Sequence, residues 1–354
     1  MRRLFVHCGL ARTGTTAIQR HFSREKANLR TIGIDYPSVG LNQTGIAHHG
    51  IADQILTRAE YNSSAGPVGE LLDLLDAPDR LSTVVLSSEG FANCLHNRRT
   101  RARFLDFLGS AKKRNDSTFI VFRIRPFSEY FDSWYVQRLK IGAVPLDMSE
   151  YTRECLRWLR SFLQGLKALK NAVGADNIII IDADAAGGDA VVAFSSHIGV
   201  SATDGAVTSE RHNSRWGLTK AAIIYQLQSI AGADGARPNS DLSRLRQAIL
   251  KSKDFDADIT RYRVIPFDDA NRIQSVARRC APPFLEKQLS AMTAPESGSY
   301  GAISLGKLKV FDESIEQLKA SLPDDLQSTS LFAAWLAKQS TYEWPSDRDC
   351  RPGA

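Results

Sequence analysis

The sequence predicts an α/β fold: a central parallel sheet flanked by helices, with further helices added toward the C-terminus. Three observations predict it. Short, continuous apolar runs rich in β-branched residues alternate with longer helical stretches up to about residue 200. A glycine loop, Gly9-Leu10-Ala11-Arg12-Thr13-Gly14-Thr15-Thr16, joins the first apolar run to the first helical stretch. Beyond about Val200 the strand signals fade and helical patterns continue alone.

Taken in order, Leu4–Gly9 is the first strand and Thr15–Phe22 the first helix. Ile32–Tyr36 reads as a short second strand, followed by helical patterns near Ile46–Ile55 and Gly69–Leu75. Ser82–Ser87 is a buried strand and Arg101–Lys112 a helix. Thr118–Arg123 (Thr-Phe-Ile-Val-Phe-Arg) is the clearest strand, β-branched, aromatic and too short for a helix. Pro126 opens a helix to about Lys140, because a proline at the first helical position sacrifices no hydrogen bond. A helix over Ser149–Asn171 precedes a strand over Asn177–Ile181, which Asp182-Ala183-Asp184 and Gly187-Gly188 end. Helices are expected at Leu218–Ile230, Ser243–Lys251, Asp268–Arg279 and Val310–Ser321, with a loop over Ala231–Ser240. The whole is expected to be one domain: an α/β core over 1–200, helical additions packed on it over 201–343, and a polar tail over 344–354.

Bulk composition narrows the class. A chain of 354 residues, 43% apolar and 24% charged, can bury one large core. No stretch is apolar and long enough to cross a membrane, and the basic start (Arg2, Arg3) runs directly into the first strand, unlike a secretory leader. The five cysteines are irregularly spaced, without a CxxC pair or a zinc pattern, which suggests a reducing, cytoplasmic setting and no structural metal. The net charge of +6 is a mild bias toward anionic partners. Basic clusters such as Arg98-Arg99-Thr100-Arg101-Ala102-Arg103 and Lys112-Lys113-Arg114 lack the interleaved aromatics that stack on bases, so no nucleic acid is expected.

The glycine loop has the frame of a phosphate-binding P-loop, two glycines five apart followed by small residues, so the expected fold is of the P-loop type with three layers. It leads from a strand to a helix N-terminus, where free amides and the helix dipole attract an anion. Thr15 stands where a P-loop NTPase carries its lysine, and the nearest cation is Arg12. In a parallel sheet, ligands bind beyond the carboxyl ends of the strands. The Ser82–Ser87 strand brings Ser88 and Glu89 to that edge, and the Thr118–Arg123 strand brings Arg125, with Ser133 two turns along the next helix. An arginine fork and a serine hydroxyl suit one shared phosphate; read singly, they are an ordinary loop arginine and a small helix residue.

These residues resemble a sulfotransferase that uses 3′-phosphoadenosine 5′-phosphosulfate (PAPS). That family holds the 5′-phosphosulfate with a loop of the type Lys-x-Gly-Thr-Thr, matched here by Arg12-Thr13-Gly14-Thr15-Thr16. It holds the 3′-phosphate with an arginine beside a proline at a later strand end and a serine eight residues on, matched by Arg125-Pro126 and Ser133. Ser133-Trp-Tyr-Val-Gln137 is similar to bacterial and carbohydrate-type members, and Arg211-His212-Asn213-Ser214 resembles their late loop over the nucleotide. The likeness covers roughly residues 4–140 well and 205–230 loosely. It implies transfer of a sulfuryl group to a hydroxyl, of a carbohydrate or glycolipid, with release of adenosine 3′,5′-bisphosphate (PAP) and no metal. Peripheral contact with a membrane carrying a lipid-linked acceptor is compatible with it. The chain departs from the pattern at Arg12: an arginine in the lysine position stabilises charge but donates a proton poorly.

The resemblance also implies a base for the acceptor hydroxyl, a role contributing about 10²–10⁴-fold. Glu89 is the first candidate, with a helix-capping carboxylate as its plainer role. His49, in Ala47-His48-His49-Gly50, is the second, with a surface or core histidine as its plainer role; His48 ranks behind it. Lys140, Trp134 and Tyr135 are candidate acceptor contacts, although Phe127, Phe131 and Trp134 together read as a buried stripe. Two other readings remain: a P-loop kinase or NTPase using Mg-ATP, with Asp182 the candidate magnesium carboxylate, or a nucleotide-binding relative without turnover. The acceptor, the sulfated position and the oligomeric state are not legible in the sequence.

Overall fold

Four runs of mostly buried apolar residues and the short pair Ile34–Asp35 form the strands, and helices with apolar faces cover both sides of the sheet. The computed structural model describes residues 1–10, 13–57, 64–141, 147–183, 189–200, 218–233, 240–251, 264–291, 310 and 312–340. The described residues fall into two compact units: Met1–Phe127, Leu156–His212 and Ser275–Thr293 in the first, Ser128–Cys155, Asn213–Gln274 and Ala294–Ala354 in the second.

The α/β core runs β1 (Arg3–Cys8), α1 (Thr15–Arg24), α2 (Lys26–Thr31), β2 (Ile34–Asp35), α3 (His49–Thr57), α4 (Gly66–Asp76), β3 (Thr83–Ser88), α5 (Glu89–Asn93), α6 (Arg98–Lys112) and β4 (Ser117–Ile124). In chain order there follow α7 (Phe127–Ile141), α8 (Met148–Val173), β5 (Ile178–Asp182) and α9 (Ala190–Ile198). The remaining helices are α10 (Leu218–Ala233), α11 (Ser240–Lys251), α12 (Phe267–Cys280), α13 (Pro283–Ala291), α14 (Asp312–Ser321), α15 (Asp324–Gln327) and α16 (Ser330–Ser340).

All five strands are parallel, in the order β2-β3-β1-β4-β5, and the glycine loop leaves the central strand. Phe5 of β1 stands opposite Val85 of β3 and Phe119 of β4. This face packs against Ile18 and Phe22 of α1 and Phe194 and Ile198 of α9. Phe22 meets Tyr36 and Phe194 edge-on or tilted, with ring centroids 5.8 and 5.3 Å away. The other face alternates with it, as strand geometry demands. There Phe122 packs on Phe162 of α8 at 5.8 Å, and α6 lies along β4 with α3 and α4 beside it. The three-layer arrangement predicted from the strand–helix alternation is therefore present.

The strands fall within one or two residues of their expected positions. Several helices were not expected, namely α2, α5, α9, α13, α15 and α16. The reason is clearest at α9, whose Ala-Val-Val-Ala-Phe core favours strand by propensity. Its ends decide otherwise: Asp189 accepts hydrogen bonds from the Val191 and Val192 amides, and Gly199 closes the helix in the left-handed conformation (φ 86°). The expected loop over Ala231–Ser240 is helical at both ends, where α10 reaches Ala233 and α11 starts at Ser240. Residues 234–239 and the tail from Trp344 lie outside the described residues. Of the expected aromatic stripe, Phe127 and Phe131 are buried but Trp134 is only half-buried, with the Arg138 guanidinium 5.8 Å from its ring centre.

In the second unit, polar side chains join the helices. Gln226 of α10 accepts from Trp335 Nε1 (2.9 Å) and Gln339 Nε2 (2.8 Å) of α16. Asp132 of α7 accepts from the Val264 and Ile265 amides, both at 2.9 Å. No described helix is long and apolar enough to cross a membrane.

Phe22→Ala should destabilise the protein by about 3–5 kcal/mol, because it opens a cavity under α1 between two aromatic rings. Chemical denaturation measures this, and a loss below about 1 kcal/mol would contradict the packing of that face.

Candidate functional site

The loop after β1 is built so that only glycine fits at both ends of its frame. Gly14 adopts φ 87°, ψ 10°, the left-handed region, directly before α1. A Cβ there would also lie 2.6 Å from Arg123 Nη1 and 2.7 Å from Ala190 Cβ. At Gly9 a Cβ would come within 2.4 Å of the Thr15 side chain. The hydroxyls of Thr13 and Thr15 turn inward and donate to the Leu10 carbonyl at 2.7 and 3.2 Å. α1 has no side-chain cap at Gly14. The first amides of a helix have no intrahelical acceptor, so those of Thr15 and Thr16 are placed to meet an anion.

Arg123 lies beneath this loop and was not foreseen as a functional residue. It is 4% exposed on β4, donating from Nη1 to the Thr13 carbonyl and from Nη2 to the Ala183 carbonyl (2.8 Å). A charge inside an otherwise apolar strand was the available signal, since burying one requires a specific task. Arg125 follows β4 by one residue and is half-buried. Ser133 is half-buried on α7 in the second unit, and Lys140 is half-buried near the end of that helix. Arg12 and Arg211 lie outside the described residues.

The last two residues of β3 organise the other side of the edge. Ser87 exchanges bonds with His48: its carbonyl accepts from the His48 amide (2.9 Å) and its amide donates to His48 Nδ1 (3.1 Å). That leaves the His48 proton on Nε2, which donates to the Pro37 carbonyl at 3.0 Å. His48 is thus a neutral, fully buried brace, and burial pushes its pKa down to about 3. Ser87 Oγ also lies 2.8 Å from Nδ1 of His7, which is pushed down to about 3, chiefly by burial and further by the Arg123 guanidinium.

Fixing His48 fixes His49 beside it. His49 Nδ1 sits 2.8 Å from Ser88 Oγ, and its Nε2 faces Glu89 Oε2 at 3.9 Å. The two base candidates therefore meet, although 40 residues apart in sequence. Glu89 does not cap α5, because Ser88 does so, accepting from the Gly90 amide at 3.0 Å. The carboxylate instead accepts from Gln19 Nε2 of α1 at 2.9 Å. Side-chain exposures of 38% for His49 and 28% for Glu89 leave both reachable from solvent. Asp182 ends β5, the edge strand, and β4 separates it from the strand that carries the loop. It is therefore poorly placed to share a magnesium ion with a phosphate at that loop.

No protein-family model, curated protein or solved structure matches the chain.

The buried histidines set an acid limit to stability. Unfolded, each ring binds a proton near pH 6.5; folded, His7 and His48 do so only near 3. The unfolded state binds more protons across that window. Stability is full above 6.5 and is lost as pH falls, by about 1.4 kcal/mol per pH unit for each ring. His48→Asn should lower stability at pH 7 yet flatten this slope between pH 6 and 5 by one proton's worth. Denaturation curves at the two pH values test it, and an unchanged slope would count against a neutral His48.

Proposed function

We propose that this protein is a cytoplasmic sulfotransferase that moves a sulfuryl group from PAPS to a hydroxyl of a carbohydrate or glycolipid. The observation that carries the reading is the contact of Glu89 with Gln19 and His49. Gln19 lies one turn inside α1, which Gly14 precedes, so a proton acceptor stands close to the end of α1 where the donor's phosphosulfate would bind. The motif order and the lysine-free loop support it as well.

On this reading the amides at the start of α1, with the Thr16 hydroxyl and Arg12, hold the 5′-phosphosulfate. Arg125, at the end of β4, holds the 3′-phosphate. The acceptor oxygen attacks sulfur in line. The new S–O bond forms as the bond from sulfur to the bridging oxygen breaks, and PAP leaves with that oxygen. Glu89 takes the hydroxyl proton, with His49 beside it as the alternative base. Arg12 stabilises the leaving phosphate as a charge, not as a proton donor. Positioning and charge stabilisation then supply most of the acceleration, as in phosphoryl transfer.

Calorimetry tests the donor site. PAP should bind without Mg²⁺ and far more tightly than 5′-AMP, while preference for Mg-ATP would replace this reading with a kinase. Arg125→Ala should weaken PAP by roughly 10- to 100-fold, in line with the loss of a charge-assisted bond of about 1.5–3 kcal/mol. Unchanged affinity would remove Arg125 from the site.

The base is tested separately, on an acceptor found by screening glycans and glycolipids. Glu89→Gln should keep the PAP affinity and lower turnover by about 10²–10⁴-fold. Turnover that survives in Glu89→Gln but falls in His49→Ala would assign the proton to His49.

A further inference from the structure

Gln19 has no part in the motif that points to the donor site, yet it makes the bond that connects that site to the proton acceptor. It is 2% exposed on α1, between the core residues Ile18 and Phe22. A buried amide on the apolar side of a helix needs a partner, because an unsatisfied polar group at such a place is costly. The partner is Glu89 Oε2, at 2.9 Å and 70 residues away in sequence.

Both protein groups that address this carboxylate address the same oxygen. Gln19 donates to Oε2, and His49 Nε2 faces Oε2 at 3.9 Å. Oε1 has no protein partner among the described residues. His49 is itself held, through Nδ1, by the Ser88 hydroxyl. The carboxylate is therefore hydrogen-bonded at one oxygen from α1, with the His49 ring of α3 3.9 Å from the same oxygen, and presents the other.

We propose that Gln19 is a positioning residue: it fixes Glu89 through Oε2 so that Oε1 is the atom that takes the acceptor proton, and it ties that atom to the helix whose N-terminus holds the donor. This rests on the sulfotransferase reading of the same site. Because Gln19 and Gly14 belong to the same short stretch of chain, the base keeps a set distance from the donor loop. Without the amide, the carboxylate keeps only its contact with His49 and turns about its own side-chain bonds. The acceptor would still bind, but fewer bound complexes would have the proton acceptor in line. Gln19 therefore acts on turnover and not on nucleotide binding.

Gln19→Met keeps the length and volume of the side chain and removes the donor. The expected result is a fall of 10-fold or more in kcat, with PAP affinity and acceptor KM within about twofold of wild type. In a Glu89→Gln background the same substitution should cause no further loss, since its whole effect passes through Glu89. A kcat unchanged in a folded, PAP-binding Gln19→Met protein would overturn the proposal. So would an equal further loss in the Glu89→Gln background, which would mark Gln19 as merely structural. A second measurement needs neither acceptor nor turnover. The side-chain ¹⁵N–¹H resonances of Gln19 should move when the charge of its acceptor is removed in Glu89→Gln, while the backbone resonances of α1 stay in place. Resonances indifferent to Glu89 would overturn the proposal by themselves. Failure of PAP to bind the wild-type protein would instead remove the sulfotransferase reading, leaving the Gln19–Glu89 resonance test to stand or fall alone.

Discussion

The carboxyl edge of the sheet depends on how the end of β3 is held. Ser87 and Ser88 spend their backbone and side-chain groups on four different partners: His7 on β1, the His48 amide and ring, His49, and the first turn of α5. Remove the exchange between Ser87 and His48 and the start of α3 loses two of the bonds that anchor it. His49 would then be held beside Glu89 by its bond to Ser88 alone among its side-chain bonds. The cost is visible in the two histidines buried as neutral rings, which folding must keep unprotonated. A purely structural strand end would have been cheaper to build from apolar residues. Buried polar groups of this kind are retained where a particular geometry is needed.

The loop on the other side of β1 is held by a different means. Its turn is fixed by the left-handed Gly14 and closed by two threonine hydroxyls that donate to one carbonyl. Arg123 adds a cation directly under the loop, bonded to a loop carbonyl. A guanidinium so placed orients the peptide groups above it and adds positive potential without occupying the space a ligand needs. Among the described residues, the fixed charge at this loop comes from below.

How far the sequence could reveal this follows from the range of the interactions. The strands were legible because each is a short apolar run whose neighbours are polar turns, a local signal. Ser88 and Glu89 were legible for a related reason, since a polar residue just past such a run must emerge at the carboxyl edge. The role of Glu89 was not, because whether it or Ser88 caps α5 depends on side-chain direction. Gln19 and Arg123 were missed because their partners lie 70 and 110 residues away. Their only local trace is polarity at a position whose neighbours are core. His48 and His49 look equivalent in sequence, but burial separates them, one a brace with both nitrogens bonded and the other half-exposed beside a carboxylate.

The replacement of lysine by Thr15 has a physical logic under the proposed chemistry. A transferring phosphoryl group carries two negative charges and comes with magnesium, so a P-loop lysine works beside a metal to balance them. A sulfuryl group carries one charge fewer, and its transfer needs less cationic compensation at the loop. Thr15 instead uses its hydroxyl to close the loop on Leu10, while its backbone amide stays available to an anion. The compensation that is needed then comes from dipoles at the start of α1 and from Arg123 below the loop, with Arg12 joining them on the proposed reading. Such a site suits a donor whose reacting group is a monoanion.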